Sequence, residues 1–225
     1  MPAAKTKLEL MRNFVTNLID WSEVWAPLIP LAILIFRGSN YAWKKPIVIY
    51  LITALAINFT IDVLYHPFIE YKLLQSNYIF YNINSIVRLV FFTWFFNYLH
   101  PLFQKLNKVV PYLYMLVVIL NFIFLESLLD FSSKTMALEA AINLIYCLIW
   151  FYLKVNDDDE RWLFSYSHAW VVTGISLYSA ITFFLFLFYK IIINSGDVFA
   201  YYIWDVHNVS FTIMCFLIAV AFYKK

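Results

Sequence analysis

Pro46 to Glu70 reads PIVIYLITALAINFTIDVLYHPFIE, and the reading of this stretch decides the fold. As a helix rising about 1.5 Å per residue, it is long enough to cross a hydrocarbon core of roughly 30 Å. Asn58, Asp62 and His66 recur within it every four residues, so all three share one side of the helix. A carboxylate in hydrocarbon costs about 2.5 to 3.5 kcal/mol even on a lenient insertion scale, so residues of this kind are read as functional. The stripe marks one helix wall of a polar interior.

The rest of the chain fits that reading. Hydrophobic residues make up 64% of the sequence and charged residues 13%, with three glycines. A soluble domain carries about a quarter charged residues, so the chain is expected to be all-α and polytopic in a membrane. Aromatics at 21% suit interfacial belts and bundle filling. A net charge of +2 argues against nucleic acid as a partner. Cys147 and Cys215 lie in apolar runs and imply no disulfide framework.

Residues 1–20 lack a small-x-small cleavage site. Leu8, Met11, Val15 and Leu18 fall at helical spacing, predicting a short amphipathic interfacial helix ahead of a transmembrane domain over 21–225. Seven spans follow. The first, Trp21 to Phe36, contains Pro27 and Pro30, which should bend or break its first turns. Lys44-Lys45-Pro46 opens the second. The others are expected at Asn77–Leu99, Val109–Leu129, Thr135–Leu153, within Leu163–Lys190 and within Val198–Phe222. His100-Pro101, Ser132-Ser133-Lys134, the acidic Asn156–Arg161 and Asn194-Ser195-Gly196-Asp197 read as loops.

Lys and Arg set the orientation. Arg37, Lys44, Lys45, Lys105, Lys108, Lys154, Arg161, Lys224 and Lys225 fall on one side of the membrane. Lys5, Lys7, Arg12, Lys72, Lys134 and Lys190 fall on the other. The richer side is expected to be cytoplasmic, with the N-terminus out and the C-terminus in.

Polar stripes recur on other spans. Asn77, Tyr81, Asn84 and Arg88 share a face, as do Glu139, Asn143 and Tyr146, and Asp205, Asn208, Thr212 and Cys215. Helical rise places Asp62, Glu139 and Asp205 roughly 7 to 9 Å outward of the bilayer centre. Three carboxylates then face one guanidinium. Glu139 is assigned to Arg88, and Asp62 and Asp205 to a ligand or cation. The candidate ligand-binding set is Asn58, Asp62, His66, Asn84, Arg88, Glu139, Asn143, Asp205 and Asn208. A packing network uses the same residues equally well.

His207 lies about 200° from Asp205 around its helix, so the two do not address one point. HxxxH, HExxH, GxSxG, P-loop and CxxC motifs are absent, and the last span has no lysine for a Schiff base. The sequence names no cofactor. Thr173, Gly174, Ser176, Ser179 and Ala180 form a small-residue patch that predicts a close helix contact.

From Phe131 onward, Leu138-Glu139, Tyr146, Trp150-Phe151, Ala169-Trp170, Gly174, Tyr178-Ser179, and Trp204 followed by His207 resemble a bacterial family of uncharacterised seven-helix membrane proteins. Asn82–Leu89 looks like that family's third span, except that Arg88 stands where an acid is expected. The resemblance implies seven helices and a sensory role, with no known activity; a location in the bacterial inner membrane is expected. The expectation is a non-enzymatic, sensor-like or accessory module with a pocket open to the outer side, working through a membrane or cytoplasmic signalling partner. A proton- or ion-coupled transporter and an intramembrane metal-dependent hydrolase are the alternatives.

Overall fold

The computed structural model describes residues 2–38, 41–61, 77–127, 129–157, 162–195 and 199–224, and every regular element among them is helical. The helices are α1 (Pro2–Asp20), α2 (Ser22–Trp25), α3 (Leu28–Arg37), α4 (Lys44–Phe59), α5 (Tyr78–Phe96), α6 (Pro101–Leu106), α7 (Val110–Phe124), α8 (Ser133–Val155), α9 (Ser167–Leu187), α10 (Tyr189–Ser195) and α11 (Phe199–Tyr223). Four stretches are long and apolar enough to cross a membrane: Tyr78–Phe96, Ser133–Val155, Ser167–Leu187 and Tyr202–Tyr223. A fifth arises if Met11–Asp20 and Ser22–Arg37 count as one span bent by 52°. Val110–Phe124 is apolar but shorter. Asp62 and His66 lie outside the described residues.

Several loop expectations are corrected. Pro101 opens a helix because proline suits the first helical position and the His100 ring accepts the Leu102 amide at 3.1 Å. Ser133 begins α8, and Ser132 and Ser133 are buried instead of forming a solvated link. Asn194 and Ser195 belong to α10. The first span does break in its first turns as its prolines lead one to expect, at Ala26-Pro27, where Pro27 caps α3, and a further bend lies at Trp21, where that span begins. Met11, Phe14, Val15 and Leu18 of α1 are all exposed.

Packing makes a ring. α3 lies on α11, α11 on α9, α9 on α8, α8 on α5 and α5 on α4, while α2 touches both α4 and α11 and closes the circuit. α7 packs outside this ring on α5 and α8. Gly174 permits the α9–α11 contact. A Cβ there would lie 3.2 Å from both the Met214 carbonyl and the Leu217 Cβ.

One end of the ring is filled with aromatics. Phe92, Phe95, Phe96, Phe103, Tyr146 and Trp150 are buried, with Phe96 5.0 Å from Phe103 and 5.4 Å from Tyr146. At that end Lys44 is buried. Its ammonium donates to the Phe222 carbonyl at 3.5 Å and lies 5.2 to 5.4 Å from the Tyr41, Trp43 and Phe222 rings. Ring faces and the negative end of α11 together take the place of a carboxylate.

The turn between α7 and α8 is organised by Glu126. Its carboxylate accepts from Lys190 at 2.7 Å, Ser132 Oγ at 2.7 Å and Asn121 Nδ2 at 3.1 Å. Burial pushes the carboxyl up, but these donors outweigh burial and hold it below the usual range.

Two outcomes follow from the packing. Gly174→Leu should cost about 1 to 3 kcal/mol by overpacking, read as a lower melting temperature in detergent; an unchanged value would mean the glycine faces lipid. Because the Glu126 carboxyl is depressed on folding, its contribution is complete above its unperturbed value of 4.5 and is lost as pH falls through the folded value. Glu126→Gln should therefore melt below wild type at neutral pH and converge with it in acid. Parallel acid profiles would contradict this.

Candidate functional site

Helical spacing delivers two side chains to the centre. On α5, Asn84, Ser85 and Arg88 turn inward; on α8, Glu139, Asn143 and Tyr146 do the same. Where the two helices face each other, Arg88 grips Glu139 through Nε at 2.9 and 3.0 Å and Nη2 at 2.8 Å. The two side chains are 5% and 2% exposed. Asn143 Nδ2 donates to the same carboxylate, and Arg88 Nη1 donates to the Tyr178 hydroxyl on α9. Arg88 also sits 5.0 Å from the Tyr178 ring centre. The guanidinium and the carboxylate thus answer each other completely, with additional hydrogen bonds of the kind a buried pair requires.

A second pair lies beside the first. Glu23 Oε1 on α2 meets His207 Nε2 on α11 at 3.2 Å, and both residues are buried. The His207 ring is enclosed by Tyr178 at 5.5 Å, Phe186 at 5.5 Å and Trp204 at 5.6 Å. Tyr178 therefore joins the pairs, its hydroxyl on Arg88 and its ring against His207. Tyr50 on α4 is fully buried and lies within electrostatic reach of Arg88, Glu139 and Glu23.

Asparagines secure the break between α1 and α2. Asn58 Nδ2 donates to the Glu23 carbonyl at 3.3 Å, and Asn208 Nδ2 to the Ile19 carbonyl at 3.2 Å. Ser22 Oγ donates to the Asn208 carbonyl at 3.4 Å. The Oδ1 atoms of Asn58, Asn84, Asn143 and Asn208, the Tyr50 hydroxyl and His207 Nδ1 are buried with no hydrogen-bond partner among the described residues.

The expected residues thus separate. Arg88, Glu139 and Asn143 come together, with Asn84 one turn before Arg88. Asn58 and Asn208 flank Glu23 instead. Asp205 is half-buried, forms no ion pair among the described residues and has the Asp20 carboxylate as an electrostatic neighbour. Asp62 and His66 fall outside the described residues. Among those residues, no group of three His, Cys, Asp or Glu side chains gathers to hold a metal ion.

Glu23, Tyr178 and His207 were missed by reading stripes. Glu23 stands at the start of the first apolar stretch, three residues after Asp20, and no polar stripe continues from it into that stretch. His207 was judged only against its own helix, and its partner is on another.

The chain matches no family model, curated protein or solved structure.

The central pair makes a definite expectation. Arg88→Leu or Glu139→Leu alone leaves a buried uncompensated charge and should cost about 3 to 5 kcal/mol, while the double variant should recover much of that loss. Thermal unfolding of the three variants in detergent measures it. Additive losses would mean the two groups do not depend on each other.

Proposed function

We propose that the chain is a non-enzymatic, sensor-like or accessory module of the bacterial inner membrane that takes a small ligand or cation from the outer side. On this reading it has the seven spans of the family its second half resembles. α2 and α3 form the broken first span, α4 begins the second, and α5, α7, α8, α9 and α11 form the rest. α1 lies in the outer interface with Met11, Phe14, Val15 and Leu18 in lipid, which suits their exposure. The N-terminus is outside and the C-terminus inside, and the signal passes to a membrane or cytoplasmic partner.

One observation carries the reading. Along α5 and α8, polar side chains with unpartnered buried acceptors occupy one half of the ring, and packed aromatic rings fill the other. Asn84 and Arg88 precede Phe92, Phe95 and Phe96 on α5; Glu139 and Asn143 precede Tyr146 and Trp150 on α8. A carrier needs polar lining on both sides of its site, whereas this arrangement supports a pocket that opens one way. The Arg88–Glu139 pair is the floor of that pocket, and its mutual neutralisation leaves Glu23 and His207 as the groups that answer a ligand.

The experiment is cysteine accessibility. In a background with Cys147 and Cys215 replaced by serine, Asn208→Cys in whole cells should react with a small impermeant thiol reagent, and Thr93→Cys should not. Asp205→Cys serves as the outer reference. Reaction at Asp205→Cys with none at Asn208→Cys would mean the polar half is closed packing.

A further inference from the structure

Four cations gather where α3 ends, α4 begins and α11 ends. Arg37 is the last residue of α3, Lys44 and Lys45 are the first two of α4, and Lys224 follows the last turn of α11. Contacts to neighbouring residues of that turn bring them together. The Arg37 guanidinium lies 3.9 Å from the Tyr223 ring centre, and the Lys44 ammonium donates to the Phe222 carbonyl at 3.5 Å. Among the described residues, none of the four pairs with a carboxylate.

Two of them are otherwise engaged. Lys44 is buried against Phe222, and Lys224 donates to the Phe164 carbonyl at 2.7 Å and lies 5.1 Å from the Trp170 ring. Arg37 and Lys45 are exposed, and neither side chain donates a hydrogen bond among the described residues. Lys45 also stands at the positive end of α4, where the helix dipole opposes further positive charge. The depth of this rim follows from α3. Ile35 and Phe36 are 80% and 88% exposed, Arg37 comes next, and Gly38 then ends the helix at a φ of 54°. Side chains so apolar and so exposed belong in hydrocarbon, which sets the guanidinium at the level of the headgroups. Tyr41 and Tyr223 are exposed beside it, as rings of an interfacial belt are.

We infer that this rim binds the phosphate of an anionic phospholipid, with Arg37 and Lys45 on the headgroup and Ile35 and Phe36 along the acyl chains. The guanidinium fork matches phosphate oxygens, and a net negative headgroup answers charge that the protein leaves unpaired. A zwitterionic headgroup brings as much positive charge as negative. An acidic protein segment would match the charge but not the exposed apolar pair beside it. The lipid would bridge the seam at which α3 and α4 meet the last turn of α11. The inference rests on the membrane placement proposed above and not on the pocket, which lies in the other half of the ring.

The test is thermal unfolding of the full chain in detergent, titrated with phosphatidylglycerol or phosphatidylcholine in mixed micelles at constant ionic strength. Phosphatidylglycerol should raise the melting temperature saturably; phosphatidylcholine and inorganic phosphate should not. Arg37→Gln combined with Lys45→Gln should raise the half-saturating phosphatidylglycerol content about thirtyfold, at about fivefold for each charge beside an anionic headgroup. Lys105→Gln combined with Lys108→Gln removes two exposed charges assigned to the same side of the membrane and should leave it unchanged. If the Arg37 and Lys45 double variant does not fold, Lys45→Gln alone carries the test, with a shift of about fivefold. Equal responses to the two lipids would overturn the inference. So would a response to inorganic phosphate as large as that to phosphatidylglycerol, or equal shifts in the two double variants. Outside labelling of Asn208→Cys with no difference between the lipids removes the lipid and leaves the pocket.

Discussion

A guanidinium and a carboxylate at the centre of an apolar ring set the terms for everything around them. Neither Arg88 nor Glu139 is tolerable there alone, and together they require their remaining hydrogen-bonding positions to be met. Asn143 and Tyr178 meet them. The pair therefore fixes how α5 and α8 face each other and which face α9 presents, and through the Tyr178 ring it fixes where His207 must lie. Lipid gives helices no hydrophobic reason to associate, so a satisfied polar centre of this kind supplies specificity that apolar packing does not.

The second pair differs in chemistry. Arginine keeps its charge under all ordinary conditions, whereas histidine changes charge near neutrality. One ring thus holds an arginine–carboxylate pair and a histidine–carboxylate pair, joined by a shared tyrosine. The second pair lies beside the short helix α2, where the chain changes direction between α1 and α3.

Much of this was legible in the sequence and some was not. Apolar runs locate α5, α8, α9 and α11 within a few residues, because span length is dictated by bilayer thickness. The pairing of Glu139 with Arg88 was legible because a lone guanidinium on an inward stripe needs a counter-charge, and Glu139 is the one acid on the inward stripe of its own span. The role of Glu23 was not legible, since its partner is a histidine at the opposite end of the chain and no local pattern joins them. Asp205 shares its stripe with Asn208 but is less buried, because α11 turns both His207 and Asn208 inward and leaves Asp205 nearer the rim. The helices α6 and α10 were hidden by residues that signal turns, although proline after a capping residue also signals a helix start.

Closure of the ring has a consequence for biosynthesis. Ser22, Glu23 and Lys44 find their partners in Asn208, His207 and Phe222, at separations of 186, 184 and 178 residues. The ribosome delivers the amino-terminal segments long before α11 exists. During that interval the acid on α2 lacks His207 and the ammonium on α4 has only the Tyr41 and Trp43 rings, so both must remain near the headgroups or in the care of an insertase or chaperone. α11 is therefore the keystone of assembly. A polypeptide stopped short of it leaves two charges stranded, and cellular quality control can recognise that state as unfinished.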